Sequence, residues 1–475
     1  MCGIVGIADA GGASLPLYYA LFALQHRGQE SAGITTFDGK ELHKFKGPGL
    51  VVDVFSPPIL ADLKGTAGIG HVRYPTTGAN LSENIQPLNF HFRDHSISIA
   101  HNGNLVNTNE LRAAYEQAGQ IFITTTDTEI IAKILIDEIS ATGVVEDAVR
   151  LCMQKLRGSF SVVMLIDGII YAFRDPLGIK PFCIARTANG YMVASESVAA
   201  DALNAKFIRD VLPGELIRID QDGVHTAQIA VAGKRAHCIF EYIYFARADS
   251  VIDGVCVYDV RREIGKKLFE EAPVPADSVG PIPDSGTAYA IGYAERSGIP
   301  FVESLLKNRY SGRTFIMPSQ EAREKAVRVK QNPIRAHLEG KSVVLIDDSI
   351  VRGTTSKRII GMVREAGARE VHMRIGSPAI KAPCYLGVDM PTREELIAHE
   401  SIEEDVRQKI TATTLHHVSL EALVSAIGMD KGDLCVGCLT GCYPLQIDGE
   451  EAHIRHVDFV NGTYQSKLLS FDDAK

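Results

Sequence analysis

The spacing of apolar residues changes character near Ala236, and that change constrains the fold more tightly than any other feature of the chain. Before it, short apolar runs bounded by turn signals are predicted as strands at 3–8, 32–37, 67–72, 97–100, 160–166, 191–194 and 215–219. Helices are predicted at 15–24, 109–118, 127–139 and 145–156, and the Asp38-Gly39 pair, tolerant of positive φ, marks a hairpin. Groups of strands with helices set between the groups predict a layered α+β domain, sheets sandwiched by helices. After Ala236, amphipathic helices at 259–269, 288–297 and 355–366 alternate with extended segments at 281–283, 342–346 and 370–375. That alternation predicts a parallel sheet with crossover helices. A chain of 475 residues exceeds one ordinary core, so the boundaries read as 2–234, 235–445 and a tail, 446–475, packed on the core.

Composition narrows the function classes. Apolar residues at 45% and charged residues at 23% are ordinary for a globular chain. A net charge of -9 argues against a protein that coats nucleic acid, though not against a local basic pocket for a small phosphorylated substrate. No run approaches the ~20 apolar residues of a membrane helix, and the N-terminus lacks the basic and long apolar regions of a secretory signal. The expectation is a cytoplasmic protein with neither membrane nor nucleic-acid partner. In a reducing compartment the nine cysteines are core residues, a nucleophile or metal ligands.

Cys2 stands directly after the initiator methionine, ahead of the apolar run Ile4-Val5-Gly6-Ile7. Once Met1 is removed, the residue carries a thiol and an α-amine, and the amine titrates near neutrality, so it can activate its own thiol. Alone, a cysteine there is as well explained by chance. Polar clusters elsewhere point the other way: Gln25 to Ser31, a turn too charged for a core; His71-Val72-Arg73-Tyr74-Pro75-Thr76; His101-Asn102-Gly103-Asn104; and Thr124 to Glu129. Each falls at a predicted strand end or helix start, where chemistry usually sits.

In order and residue type these clusters resemble the glutaminase domain of class II glutamine amidotransferases, which are N-terminal nucleophile hydrolases of αββα architecture. The resemblance implies that Cys2 attacks the carboxamide of glutamine to form a thioester and release ammonia. It implies an oxyanion hole from the Asn102 side chain and the Gly103 N–H, with Arg73 on the α-carboxylate and Asp127 on the α-ammonium. A zwitterionic ligand does need one fixed cation and one fixed anion. Asp127 is alternatively the N-cap of its helix, and His71 reads as a core residue rather than a catalyst.

The second constellation is Val343-Val344-Leu345-Ile346-Asp347-Asp348-Ser349-Ile350-Val351-Arg352-Gly353-Thr354-Thr355. An apolar strand ends in two acids, and a Gly/Thr loop then opens a helix, an arrangement that offers N–H groups and a dipole to phosphate. It is neither a dinucleotide fingerprint nor a Walker loop. It resembles the phosphoribosyl pyrophosphate signature of type I phosphoribosyltransferases, an α/β fold with a mainly parallel sheet. By that resemblance Asp347 and Asp348 face the ribose hydroxyls and one magnesium ion per subunit, and Ser349, Arg352, Gly353, Thr354 and Thr355 hold the 5′-phosphate. Ser285, in the turn Pro281 to Thr287, adds a magnesium and pyrophosphate contact. The Arg- and Lys-rich stretch from Tyr310 to Lys330 resembles a loop that closes over substrate, although Arg323 to Lys330 also reads as a solvated helix face.

Cys435 and Cys438 form a C-x-x-C pair, followed by Cys442. Such a pair by itself is open between zinc, redox chemistry and iron–sulfur. The surroundings of Cys238 and Cys384 match relatives that carry a 4Fe-4S cluster, which implies ligation by Cys238, Cys384, Cys435 and Cys438, one cluster per subunit, with zinc the competing metal and Cys442 the rival ligand. Such a cluster would be structural, since the reaction changes no oxidation state. Cys152, Cys183 and Cys256 sit in apolar runs and read as core. The two halves together resemble the amidophosphoribosyltransferase family. That implies glutamine and phosphoribosyl pyrophosphate as substrates, an internal passage for ammonia, a homo-oligomer, and feedback inhibition by purine nucleotides. Amidotransferases of the sugar-phosphate or asparagine-forming type lack the Asp347-Asp348 loop, and a nucleotide-sensing regulator would not need Cys2, Arg73, Asn102 and Asp127 together.

Overall fold

The computed structural model describes residues 1–74, 81–231, 233–308, 331–390 and 392–447, together with the backbone of 457–458 and 465–466. By internal contacts the chain forms two units: Met1–Cys238 with Ala382–Asp389 and Gly432–Lys475, and Ile239–Lys381 with Met390–Lys431.

The first unit is built on two antiparallel sheets. One has seven strands in the order Lys206–Asp210, Cys183–Arg186, Gly190–Ala194, Gly3–Asp9, Ala67–Arg73, Ser31–Phe37 and Leu42–Pro48. The other has six: Gly223–Gln228, Glu215–Asp220, Ile169–Arg174, Gly158–Ile166, His95–Leu105 and Leu88–Phe92. A dry layer containing Ile4, Ile69, Ala100, Val163, Ile170 and Val193 lies between the sheets. The outer face of the seven-stranded sheet buries helix Ser14–Ala23 through Leu17, Ala20 and Leu21. The other sheet buries helices Asp127–Thr142 and Val145–Lys155 through residues such as Ile131, Leu135 and Val149. Helix, sheet, sheet, helix is the layering expected from the sequence.

Several elements differ from expectation in instructive ways. The strand predicted at 97–100 runs from His95 to Leu105, so Asn102 and Gly103 lie on a strand paired with Gly158–Ile166 and not in a loop. Leu42–Pro48 and Gly223–Gln228 escape the sequence pattern because they are edge strands with no fully buried residue, Lys44, His225, Thr226 and Gln228 being among those exposed. Cys152 and Cys183 are core residues, whereas Cys256 is only half-buried, at the end of a two-residue strand.

The second unit carries a four-stranded parallel sheet in the order Ser278–Pro281, Ser342–Asp347, Glu370–Ile375 and Thr414–His417. The extended segment predicted at 281–283 therefore lies earlier, ending at Pro281. Helices Val257–Glu271 and Thr287–Ser297 pack together closely enough that a Cβ on Gly265 would lie 2.0 Å from the Tyr289 carbonyl oxygen. Thr354–Glu365 buries Ile359, Ile360 and Val363 against the sheet core. The basic stretch from Tyr310 to Lys330 and nearly all of the tail fall outside the described residues. Among the described residues, no helix is long and apolar enough to cross a membrane.

Candidate functional site

Cys2 precedes a strand that runs through the middle of its sheet, between Gly190–Ala194 and Ala67–Arg73, which places its backbone with little freedom. Its side chain is 7% exposed, and its Sγ lies 3.5 Å from the Tyr74 carbonyl oxygen. The Cys2 N–H donates to Asn102 Oδ1 at 3.1 Å, and the Arg27 Nε–H donates to the Cys2 carbonyl at 2.9 Å. Arg27 is itself buried, ion-paired with Glu196, which His26 also contacts at 2.7 Å. The charged turn from Gln25 to Ser31 thus contributes a core residue after all: the guanidinium is tolerated in the interior because a buried carboxylate and a backbone carbonyl satisfy it. Next door, the Ser195 Oγ accepts from the Ile4 N–H at 3.0 Å.

Asn102 faces Cys2 with its oxygen engaged, while its Nδ2 is buried and has no hydrogen-bond partner among the described residues. A buried amide donor left unmatched is costly unless something arrives to accept from it. Gly103 can only be glycine: a Cβ would stand 2.0 Å from the Ser159 carbonyl oxygen and 2.6 Å from His101 Nε2. Asp127 is the first residue of its helix, whose N-cap is Thr126, so the capping alternative does not hold. Its Oδ2 instead accepts from the Leu105 N–H at 3.0 Å, and its Oδ1 lies 3.5 Å from His101 Nδ1. Burial pushes the Asp127 carboxyl up, but the His101 ring and the Leu105 N–H outweigh it, and the group stays ionised below the usual carboxylate range. Arg73 is buried and donates to Glu30 Oε1 at 2.8 Å. His71, fully buried, is held well below the usual imidazole range by burial and by the Arg73 and His101 charges, which suits the core role expected for it.

In the second unit, Asp347 and Asp348 lie at the carboxyl end of the Ser342–Asp347 strand, and both are buried. Burial pushes the Asp347 carboxyl far up, and the neighbouring Asp348 charge adds to it. Burial also raises Asp348, although hydrogen bonds from Ser285 and Ser349 and the Arg261 charge oppose this. Two dry carboxyls so placed, with the Ser285 hydroxyl on one of them, fit a divalent cation, which would supply the missing positive charge. Gly353 adopts φ 75° as N-cap of helix Thr354–Glu365, and a Cβ there would meet Ile397 Cδ1 at 2.3 Å. Beside this loop opens a cavity of about 660 Å³, to which Arg352, Lys357, Arg393 and Lys409 bring positive groups and Glu394, Glu395 and Glu400 negative ones.

The four assigned cysteines all belong to the first unit. Cys238 and Cys435 are register partners in a short parallel ladder. Burial pushes the Cys435 thiol up to about 12, with Cys238 and Cys384 adding to the shift, and lifts Cys438 well above the usual range, with the other three sulfurs contributing. Cys442 is exposed. Among the described residues, the one group of three or more such ligand atoms within 4.8 Å of one another is Asp38, Glu41 and His43, two acids and a histidine at a hairpin turn. Among the described residues no three cysteine sulfurs are that close.

A glutamine amidotransferase domain family matches residues 71–202. The chain is 51% identical to the amidophosphoribosyltransferase of Methanothermobacter thermautotrophicus, over 94% of this chain and 95% of that one. It is 45% identical to the Bacillus subtilis amidophosphoribosyltransferase, over 94% of each. The solved glutamine phosphoribosylpyrophosphate amidotransferase of B. subtilis, complexed with ADP and GMP, superposes with a TM-score of 0.89 at 44% identity, covering 94% of this chain and 98% of that one. The chain belongs to the amidophosphoribosyltransferase family. It is a glutamine-dependent amidotransferase acting at the first step of purine biosynthesis. Within the amidophosphoribosyltransferase fold, sequence reasoning missed Arg27, Glu196 and Ser195, which hold the start of the Cys2 strand. The available signal was an arginine in a turn directly after an apolar helix; its carboxylate partner lies 169 residues away.

Proposed function

We propose that Cys2 is the glutaminase nucleophile, that the Asp347-Asp348 loop is the phosphoribosyl pyrophosphate site, and that ammonia passes internally from one to the other. The observation that carries the reading is the buried, unmatched Asn102 Nδ2 beside a buried Cys2. With Met1 removed, the Cys2 amine takes the thiol proton and the sulfur attacks the glutamine carboxamide carbon. Asn102 Nδ2 and the Gly103 N–H receive the developing oxyanion, ammonia departs, and water hydrolyses the thioester to glutamate. Arg73 holds the glutamine α-carboxylate and Asp127 the α-ammonium, which the charge state of Asp127 supports. Met1 lies fully buried, with the Lys180 Nζ donating to its Sδ at 2.9 Å, so a chain that keeps Met1 would hold a side chain in this space.

At the second site, Ser349, Arg352, Gly353, Thr354 and Thr355 would hold the 5′-phosphate at a helix N-terminus. Asp347, Asp348 and Ser285 would hold one magnesium ion, which would supply positive charge for the pyrophosphate. The cations around the adjoining cavity support a phosphorylated ligand in this region. Cys238, Cys384, Cys435 and Cys438 would ligate a 4Fe-4S cluster that ties distant segments of the first unit together. Residues 2–234 serve as the glutaminase domain and 235–445 as the transferase domain of a cytoplasmic homo-oligomer. Purine nucleotides are the expected feedback ligands, in line with the ADP and GMP of the B. subtilis structure.

The test is pyrophosphate release from phosphoribosyl pyrophosphate and magnesium by anaerobically purified protein, with glutamine or ammonium as donor. Wild type should use both and Cys2→Ala ammonium alone. Glutamine-dependent release by Cys2→Ala would remove the nucleophile assignment.

A further inference from the structure

We propose that the loop bearing Cys384 holds the oxyanion hole in place, with Asn104 and Ser159 as positioning residues for glutamine hydrolysis. The inference rests on the roles given above to Asn102, Gly103 and Cys384. Residues 382–389 pack with the first unit although the chain on either side of them belongs to the second. They do so against the strand that carries Asn102 and Gly103.

Three consecutive residues make the contact. The Asn104 Nδ2 donates to the Tyr385 carbonyl at 2.9 Å. The Ser159 Oγ donates to the Leu386 carbonyl at 2.8 Å and accepts from the Asn104 N–H at 3.2 Å. Gly387 then meets Gly103 backbone to backbone: a Cβ on Gly387 would stand 3.0 Å from the Gly103 carbonyl carbon, 3.1 Å from its oxygen and 3.1 Å from Lys180 Cε. On its other side Gly103 is pressed against the Ser159 carbonyl. The oxyanion glycine is therefore clamped between Ser159 and Gly387.

The far side of the same loop is fastened to the cysteine cluster. The Leu386 N–H points at Cys384 Sγ across 3.4 Å, and the Ala382 N–H donates to the Cys438 carbonyl at 3.1 Å. The Tyr443 hydroxyl donates to the Pro383 carbonyl at 2.6 Å, and its ring packs edge-on against Tyr385 with centroids 5.3 Å apart. One short segment thus has cluster ligands at one face and the oxyanion strand at the other.

The strand needs such support. Its pairing with Leu88–Phe92 stops at Leu88↔Ile99, so from Ala100 to Leu105 it has a ladder on one side only, that of Gly158–Ile166. Oxyanion donors act by standing in place before charge develops, and a displacement of ~1 Å can cost about 10²-fold in rate. Asn104 and Ser159 touch neither glutamine nor the reacting atoms in this scheme. They transmit the set of the Cys384-bearing loop to the two donors.

The experiment uses full-length protein purified anaerobically, as Ser159→Ala, Asn104→Ala and Asn102→Ala. Each is assayed for kcat and KM with glutamine, for ammonium-dependent pyrophosphate release, for iron per chain, and for the rate of Cys2 alkylation. Ser159→Ala and Asn104→Ala should each lower the glutamine kcat by about tenfold, short of the ~10²–10³ loss from removing the donor itself in Asn102→Ala. KM for glutamine, the ammonium-dependent rate, iron content and Cys2 alkylation should stay at wild-type values. Full glutamine kcat in both positioning variants, with Asn102→Ala inactive, overturns the inference and leaves the oxyanion assignment standing. A rise in KM at unchanged kcat, or loss of both activities together with iron, overturns it too. Full activity of Asn102→Ala would instead defeat the oxyanion assignment, and the inference with it.

Discussion

Replacing Gly103 by alanine tests how closely the proposed oxyanion hole is built. The added Cβ would lie 2.0 Å from the Ser159 carbonyl oxygen, where real Cβ contacts keep beyond 3.0 Å, so one backbone must move by about 1 Å. Ser159 is held in the ladder with the Gly103 strand, one pair from its end, and the Gly387 backbone approaches Gly103, so the strain falls on the peptide proposed to present the oxyanion N–H. A misplacement of that size costs about 10²-fold, which is ~2.7 kcal/mol on the barrier. Overpacking should in addition remove ~1–3 kcal/mol of stability. Steady-state pyrophosphate release with saturating glutamine should therefore fall by about two orders of magnitude, with the ammonium-dependent rate unchanged. A folded Gly103→Ala protein that keeps near-normal glutamine turnover would refute the reasoning, because the donor N–H could not then be the one positioned here.

Arg27→Met leaves Glu196 buried with His26 as its remaining ionic partner, so a loss at the low end of the ~3–5 kcal/mol typical for a broken buried pair is expected in denaturant titration, together with weaker glutamine turnover. Cys442→Ser should leave iron per chain unchanged, whereas Cys438→Ser should lower it; equal loss in both would make Cys442 a ligand. His416 is held above the usual imidazole range by its hydrogen bond to Glu403, against burial and with help from Glu271. Its contribution to stability is full below the unfolded value of about 6.5 and is lost as pH rises through the higher folded value. The thermal midpoint of wild type should accordingly drop more than that of His416→Gln between about pH 6 and pH 8.5, and parallel curves would exclude the pair as a source.

Much of this protein is written locally. The strand Ser342–Asp347 shows its apolar run, its two acids and the Gly353 cap within a dozen consecutive residues, because strand, loop and helix start follow one another along the chain. Central strands such as Gly3–Asp9, buried but for Ala8, and Gly158–Ile166, buried throughout, therefore read as apolar runs. Edge strands do not, since Leu42–Pro48 and Gly223–Gln228 are paired on one side only and contain no fully buried residue. The candidate nucleophile, the Asn-Gly pair and the cysteines were legible as residue types carried over from a family resemblance.

What only the tertiary structure decided is which distant groups meet. Arg27 finds Glu196, and Asn104 and Ser159 find the carbonyls of Tyr385 and Leu386, at separations of 169, 281 and 227 residues. No periodicity encodes such pairings. They exist because burying two sheets against each other excludes water, and every polar group drawn inside must then find its partner wherever the packed chain supplies one.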